Sequence, residues 1–174
     1  TTDQDYTAIL TTVKTLQPEA IALCGTTTDT GLLVKQIQQL GIDALLVGGT
    51  GGYNAKTVEI AGSASEGFLC VGVYVASNPD EKVQTLVEKY NAAYGEIPDG
   101  FAALSYDQMY VIADAAKAAM DANDGTVTRE TLKDALKAIN YDGVTGTVTF
   151  NDVNDWERPY LTLKVENGEF VLDE

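Results

Sequence analysis

The sequence predicts an α/β fold built on a doubly wound parallel sheet, and three observations predict it. Two short apolar runs, Ala20-Ile21-Ala22-Leu23-Cys24 and Ala44-Leu45-Leu46-Val47, show no polar alternation. Each ends in a loop of small, hydroxyl-bearing residues: Gly25-Thr26-Thr27-Thr28-Asp29-Thr30-Gly31 after the first, Gly48-Gly49-Thr50-Gly51-Gly52-Tyr53-Asn54 after the second. A helical pattern then follows each loop. Strands without alternation are expected to be buried on both faces, which implies a parallel sheet covered by helices. In such sheets small ligands bind beyond the carboxyl ends of the strands, where these loops fall. The expected working surface is therefore a pair of Gly/Thr loops offering hydroxyls and backbone N–H groups.

The elements follow in order. Tyr6, Ile9, Leu10, Val13 and Leu16 recur at helical spacing, with Asp3 or Asp5 as the N-cap and Pro18 beyond the end. Strand 20–24 leads to a helix capped by Thr28 or Asp29, whose apolar face is Leu32, Leu33, Ile37 and Leu40 and whose terminator is Gly41. Strand 44–47, the glycine loop and a short helix near 54–61 closed by Gly62 come next, then an apolar strand over 68–75. Residues 5–75 thus read as α-β-α-β-α-β. The character then changes. Asn78-Pro79-Asp80-Glu81 starts a helix, with Asn as cap, Pro at the first position and acids near the positive end of the dipole; Gly95 stops it. An alanine-rich helix over 103–122 and another over 129–139, capped by Thr128, follow without an intervening strand. Three successive helices cannot continue a βαβ alternation, so they must cover another surface. Strand returns at Gly146–Phe150, and Asn167-Gly168 joins two final alternating strands as a hairpin.

Composition narrows the chemistry. Eleven basic against 26 acidic residues give a net charge of −15, dispersed along the 174-residue chain. Such a surface repels nucleic acid and anionic membrane, whose recognition needs clustered Lys and Arg. No run approaches the roughly 20 apolar residues of a membrane span. The opening residues show no secretion signal, so an exported protein is met here in mature form or as a piece. Histidine is absent, which removes the commonest general base and zinc ligand, and two cysteines cannot supply a four-thiolate site. No cofactor, metal or catalytic residue is expected. The 48–52 loop lacks the Lys-Ser/Thr of a P-loop and the order of a dinucleotide fingerprint, leaving a flavodoxin-like nucleotide-binding or enzymatic domain as the reading of a different class. Asp29, Glu59, Glu66 and Asp107 are scattered and read as caps or solvated faces, Tyr106 as packing, and Trp156 as packing under the connection 151–159.

Several segments together carry a resemblance. Asp5-Tyr6-Thr7-Ala8-Ile9-Leu10, Gln17-Pro18-Glu19-Ala20-Ile21, Val34-Lys35-Gln36 with Leu40-Gly41, and Ala61-Gly62 with Ala64 and Glu66-Gly67 come first. Tyr106-Asp107 with Ala113-Asp114-Ala115, and Asp142-Gly143-Val144-Thr145-Gly146-Thr147-Val148-Thr149-Phe150, complete them. In order and spacing they resemble the carboxyl-terminal half of branched-chain amino-acid binding proteins, of the type I periplasmic binding protein family. The resemblance implies a two-lobed clamp that captures a small polar ligand and delivers it to the permease of an ABC transporter, outside the cytoplasm and with no catalysis. The sensing domain of a membrane receptor is the alternative on the same fold.

It further implies that residues 1–76 and 156–174 form the second lobe and that 77–155 contribute helices and a strand to the first, joined by hinge crossings. On that reading the family's amino-terminal half is absent, and a complementary polypeptide or an exchanged oligomer completes the fold. Ligand-binding positions carried over are Thr26 or Thr27 after the first strand and Thr50 with Gly51 after the second, with Tyr53 and Tyr74 as wall or hinge contacts. Members holding α-amino acids often place a carboxylate where Thr50 stands, so the ligand expected here is neutral or anionic. Finally, strands in chain order put strand 44–47 between those of Cys24 and Cys70. Two strand spacings are about 9.6 Å, beyond disulfide reach, so two free, buried thiols are expected.

Overall fold

The computed structural model describes residues 4–173. The elements are α1 (Thr7–Thr15), β1 (Ala20–Leu23), α2 (Thr27–Gln39), β2 (Leu45–Gly48), α3 (Ala55–Ala61), β3 (Leu69–Gly72), α4 (Glu81–Tyr94), α5 (Gly100–Ala122), α6 (Arg129–Lys137), β4 (Tyr141–Gly143), β5 (Gly146–Phe150), β6 (Trp156–Glu157), β7 (Leu161–Glu166) and β8 (Glu169–Leu172). They fall into two compact units: residues through Val75 with those from Leu161 onward, and Ala76–Tyr160.

The first unit holds a five-stranded sheet in the order β1-β2-β3-β7-β8. β1, β2 and β3 are parallel, while β7 runs antiparallel to β3 and pairs with β8 in a hairpin. The hairpin turn is Asn167-Gly168, with φ of 54° and 83°, the left-handed pair that a two-residue turn requires. Its core joins Leu10 of α1, Val34 and Ile37 of α2, and Val58 of α3 to Leu23, Phe68, Cys70 and Val165.

Several expectations change. The sheet is buried on one face only: along β1, Ala20 and Ala22 are exposed while Leu23 is buried, and Leu45 of β2 is 50% exposed. An apolar run reports what a strand could bury, not which helices arrive to bury it. The third strand ends at Gly72, and Val73, Tyr74 and Val75 remain buried as irregular chain. α2 starts one residue before Thr28, with Thr26 in the cap position. α4 is capped by Asp80, whose Oδ1 accepts the Lys82 N–H at 2.8 Å, and Pro79 stays outside because Asn78 instead turns the chain by accepting the Asp80 N–H. Both cysteines are free, and β2 separates their strands, but Cys24 is exposed because it stands just past β1, in step with Ala22. Cys70 is buried, and burial pushes its thiol up to about 12.

In the second unit, α4, α5 and α6 accompany a three-stranded antiparallel sheet, β4-β5-β6. Thr128 and Thr131 cap α6 reciprocally. α5 buries the stripe Ala103, Asp107, Val111, Ala115 and Ala119. A second stripe, Phe101, Met109, Ile112 and Met120, stays 45–67% exposed.

Candidate functional site

The two Gly/Thr loops emerge side by side, because Leu23 at the end of β1 stands beside Gly48 at the end of β2. The first loop passes directly into α2. Thr26 makes no capping bond to the helix; its hydroxyl donates to Asp29 Oδ2 at 2.8 Å. The other Asp29 oxygen accepts the Tyr6 hydroxyl at 2.6 Å. Asp29 sits in the first turn of α2, where the helix dipole favours a negative charge. Residues at the start of α1 thus hold the first loop through Asp29.

The second loop forms a 3-10 turn over Thr50–Gly52 and is fastened to the first. The Thr27 hydroxyl donates to the Gly51 carbonyl at 3.4 Å. A Cβ at Gly51 would stand 2.7 Å from the Gly25 carbonyl oxygen, so only glycine lets the loops meet this closely. Beneath them lies Thr30, 0% exposed. Its hydroxyl has no partner among the described residues, and Cβ atoms built at Gly25 and Gly52 would approach it at 3.1 and 3.5 Å. Sequence reasoning missed Thr30. The available signal is its place one turn inside α2, on the side that faces the glycines.

Of the anticipated residues, Thr26, Thr27, Thr50 and Gly51 come together along this seam; Thr26, Thr50 and Gly51 are exposed and Thr27 is half-buried. Tyr53 is half-buried with its ring edge-on to Phe170, 4.9 Å between centroids. Tyr74 is only 1% exposed. Among the described residues no cluster of three or more Cys, Asp or Glu side chains could hold a metal ion.

The second unit contains a buried polar cluster. Asp107, read as a cap or solvated face, is 0% exposed. Its Oδ1 accepts the Val144 N–H at 3.0 Å, and its Oδ2 accepts the Thr145 N–H at 2.8 Å and the Thr145 hydroxyl at 2.6 Å. Arg158 donates to Thr145 Oγ1 at 3.2 Å and lies 4.3 Å over the Trp156 ring. Burial pulls the Arg158 guanidinium below its ordinary value, and the Asp107 charge opposes this. Trp156 also packs against Phe150, 5.5 Å between centroids. A Cβ on Gly143 would lie 2.4 Å from Asp107 Oδ2, so this turn admits the carboxylate only with glycine there. The motifs at 106–107 and 142–150 are therefore two halves of one lock joining α5 to the β4–β5 turn. Asp107 was findable from its position in the stripe 103-107-111-115, which is otherwise apolar.

Comparison with known proteins places this geometry. The family described as periplasmic binding protein matches residues 1–169. The chain is 29% identical over 153 residues to the leucine-, isoleucine-, valine-, threonine-, and alanine-binding protein of Pseudomonas aeruginosa, covering 88% of this chain and 39% of that protein. It is 28% identical to Leu/Ile/Val-binding protein homolog 3 of Brucella melitensis, covering 97% of this chain and 45% of that protein. The chain thus spans less than half the length of these curated relatives. Among solved structures, a leucine binding protein of Thermotoga maritima superposes with a TM-score of 0.87 at 28% identity, over 99% of this chain and 49% of that one. The branched-chain amino acid transporter substrate binding protein of Streptococcus pneumoniae, solved with isoleucine, gives 0.83 at 28% identity, over 97% and 47%. The relatives are named as binding proteins and the fold is the α/β fold of their structures. With the family match running from residue 1 to residue 169, this chain belongs to the periplasmic binding protein family.

Proposed function

We propose that the protein is the extracytoplasmic solute-binding component of an ABC uptake system, and that it holds a small polar ligand at the seam between the loops after β1 and β2. The observation that carries this reading is the seam itself: Thr26, Thr27, Thr50 and Gly51 meet there, above the buried hydroxyl of Thr30, which has no partner among the described residues. Tyr53 and Tyr74 are assigned supporting roles, as a wall and a hinge contact. The names of the relatives, which bind leucine, isoleucine and valine among others, support an amino acid or a closely related organic acid or amide. The family supports a location outside the cytoplasm, periplasmic or extracellular and compatible with a lipoprotein anchor, and among the described residues no helix is long and apolar enough to cross a membrane.

The proposed clamp assigns the unit containing β1–β3 to the second lobe and residues 77–155 to the first. Further polypeptide, from a complementary chain or an exchanged copy, completes it. Two facts support this completion: the chain spans less than half of its curated relatives, and α5 leaves the apolar side chains of Phe101, Met109, Ile112 and Met120 exposed, as on a surface made to be covered.

Thr50 brings no charge to its loop, and a buried ammonium without a counter-charge is costly. A neutral or anionic ligand is therefore favoured. Calorimetry on the protein as isolated tests this, using leucine and its 2-oxo acid, which keeps the side chain and carboxylate but has no ammonium. The 2-oxo acid should bind at least as tightly as leucine; leucine binding tenfold tighter would contradict the reading. Thr50→Trp should weaken binding of the preferred compound more than tenfold, about 1.4 kcal/mol, without shifting Tm. Unchanged affinity removes Thr50 from the site.

A further inference from the structure

Basic residues are scarce in this chain, eleven of 174 against 26 acidic ones. Three of the eleven stand on α6, as Arg129, Lys133 and Lys137. Spaced four residues apart, they form one row along the helix, with neighbours about 6 Å apart along its axis. Leu132 and Leu136, three positions after Arg129 and Lys133, make a second row beside the first. Glu130 and Asp134 lie on the far side of the cations from the leucines. The helix thus carries apolar side chains and cations next to each other, and none of its nine residues is buried.

The two rows border a groove of about 430 Å³, which Phe150 at the end of β5 also lines. Leu132, Leu136 and Phe150 are half-buried, while the three cations are exposed. Among the described residues Arg129 and Lys137 take part in no ion pair, and Lys133 meets only its neighbour Asp134, at 3.2 Å. That pair is open to water and contributes little. Like charges four residues apart weaken a helix slightly, so α6 gains no stability from the row. On a surface whose net charge is −15, an uncompensated positive row beside an apolar groove is a recognition feature rather than a folding one.

We infer that this groove receives an acidic amphipathic helix of another protein. A helix with carboxylates at every fourth position repeats the spacing of the cations, and apolar residues in its adjoining row meet Leu132 and Leu136. Helix-in-groove recognition takes its anchors at that periodicity, and charged rows flanking an apolar seam set which helices pair. A single small anion would engage one or two of the three cations and leave the row unexplained. An anionic bilayer is too flat to fill a groove and is repelled by the rest of the surface. Among the described residues no helix of this chain carries three acids at that spacing, so a second copy does not fit. The inference stands apart from the ligand seam, which belongs to the first unit, whereas α6 belongs to the second.

The test uses the protein as isolated and a capped peptide of about 18 residues, long enough to be helical alone. The peptide carries glutamates four residues apart and a leucine three positions after each. Trp156 is the single tryptophan and its ring lies 5.5 Å from that of Phe150, so its fluorescence reports occupancy of the groove. A saturable change with Kd below about 1 mM at low salt is expected. Arg129→Glu combined with Lys133→Glu should weaken binding at least tenfold while leaving Tm unchanged, since both residues are exposed. Glutamine for glutamate, or alanine for leucine, in the peptide should do the same. No saturable binding, or binding that the double variant leaves unchanged, would overturn the proposal. A peptide that keeps its affinity without leucines would reduce the site to charge attraction and overturn the helical occupant. Sedimentation with phosphatidylglycerol vesicles in place of peptide binding would assign the row to a membrane. A dimer that the double variant splits would assign the groove to a second copy, and either result would overturn the proposed partner.

Discussion

Asp107→Ala is expected to destabilise the second unit by about 3 kcal/mol or more. The side chain is fully buried and serves three donors, the N–H groups of Val144 and Thr145 and the Thr145 hydroxyl. Removing one partner leaves buried donors unsatisfied, and each such group costs about 1–3 kcal/mol. The Thr145 hydroxyl also positions Arg158, so the guanidinium stacked on Trp156 loses its anchor. Asp107→Asn keeps the volume but turns one acceptor into a donor facing other donors, and should cost about 1–3 kcal/mol. Urea denaturation followed by fluorescence is the natural measurement, because Trp156 is the single tryptophan and belongs to the cluster. A loss under about 1 kcal/mol in Asp107→Ala would show that water satisfies the β4–β5 turn unaided.

Gly31→Ala is expected to destabilise the first unit although alanine is the better helix former. Within α2 the exchange should favour folding by about 0.5–1 kcal/mol. Packing decides against it. A Cβ at this position would meet the Thr57 carbonyl oxygen at 2.9 Å and the Ile60 Cβ at 2.8 Å. The obstacle is partly backbone, so α2 and α3 must separate rather than a side chain rotate away. Overpacking of this kind costs about 1–3 kcal/mol, and subtracting the propensity gain leaves a net loss centred on about 1 kcal/mol and reaching about 2.5 kcal/mol. Because α2 also supplies Thr27 and Thr30 to the seam, ligand affinity should fall with stability. A variant more stable than the parent would mean the helices separate at little cost.

The parts of the fold legible in the sequence are those set by local chemistry. Gly41, Gly62 and Gly95 take positive φ where helices stop, Asn167-Gly168 turns the hairpin, and Thr128 caps α6. The paired loops were legible because strand and loop are contiguous in the chain. What depends on remote arrivals was not. The burial of Asp107 requires the turn at Val144 and Thr145, 37 and 38 residues away. β4 is three residues long and exists through its pairing with β5. The open side of β1 and β2 follows from the handedness of crossovers, which no apolar run encodes. Pro79 favoured a helix start at its own position, yet Asp80 had the better side chain for the exposed N–H of Lys82. At the site, the hydroxyl loops could be anticipated, whereas Thr30 beneath them emerges only when the two loops meet, and the bond from Tyr6 to Asp29 only when the chain before α1 reaches the start of α2.

The central claim is that this chain acts as part of a larger clamp around a small molecule, and a native mass spectrum of the purified protein tests it most directly. The predicted result is an assembly heavier than the 18.5 kDa chain, which releases a small molecule on collisional activation. A single 18.5 kDa species that carries nothing, and takes up neither leucine nor its 2-oxo acid, would contradict it.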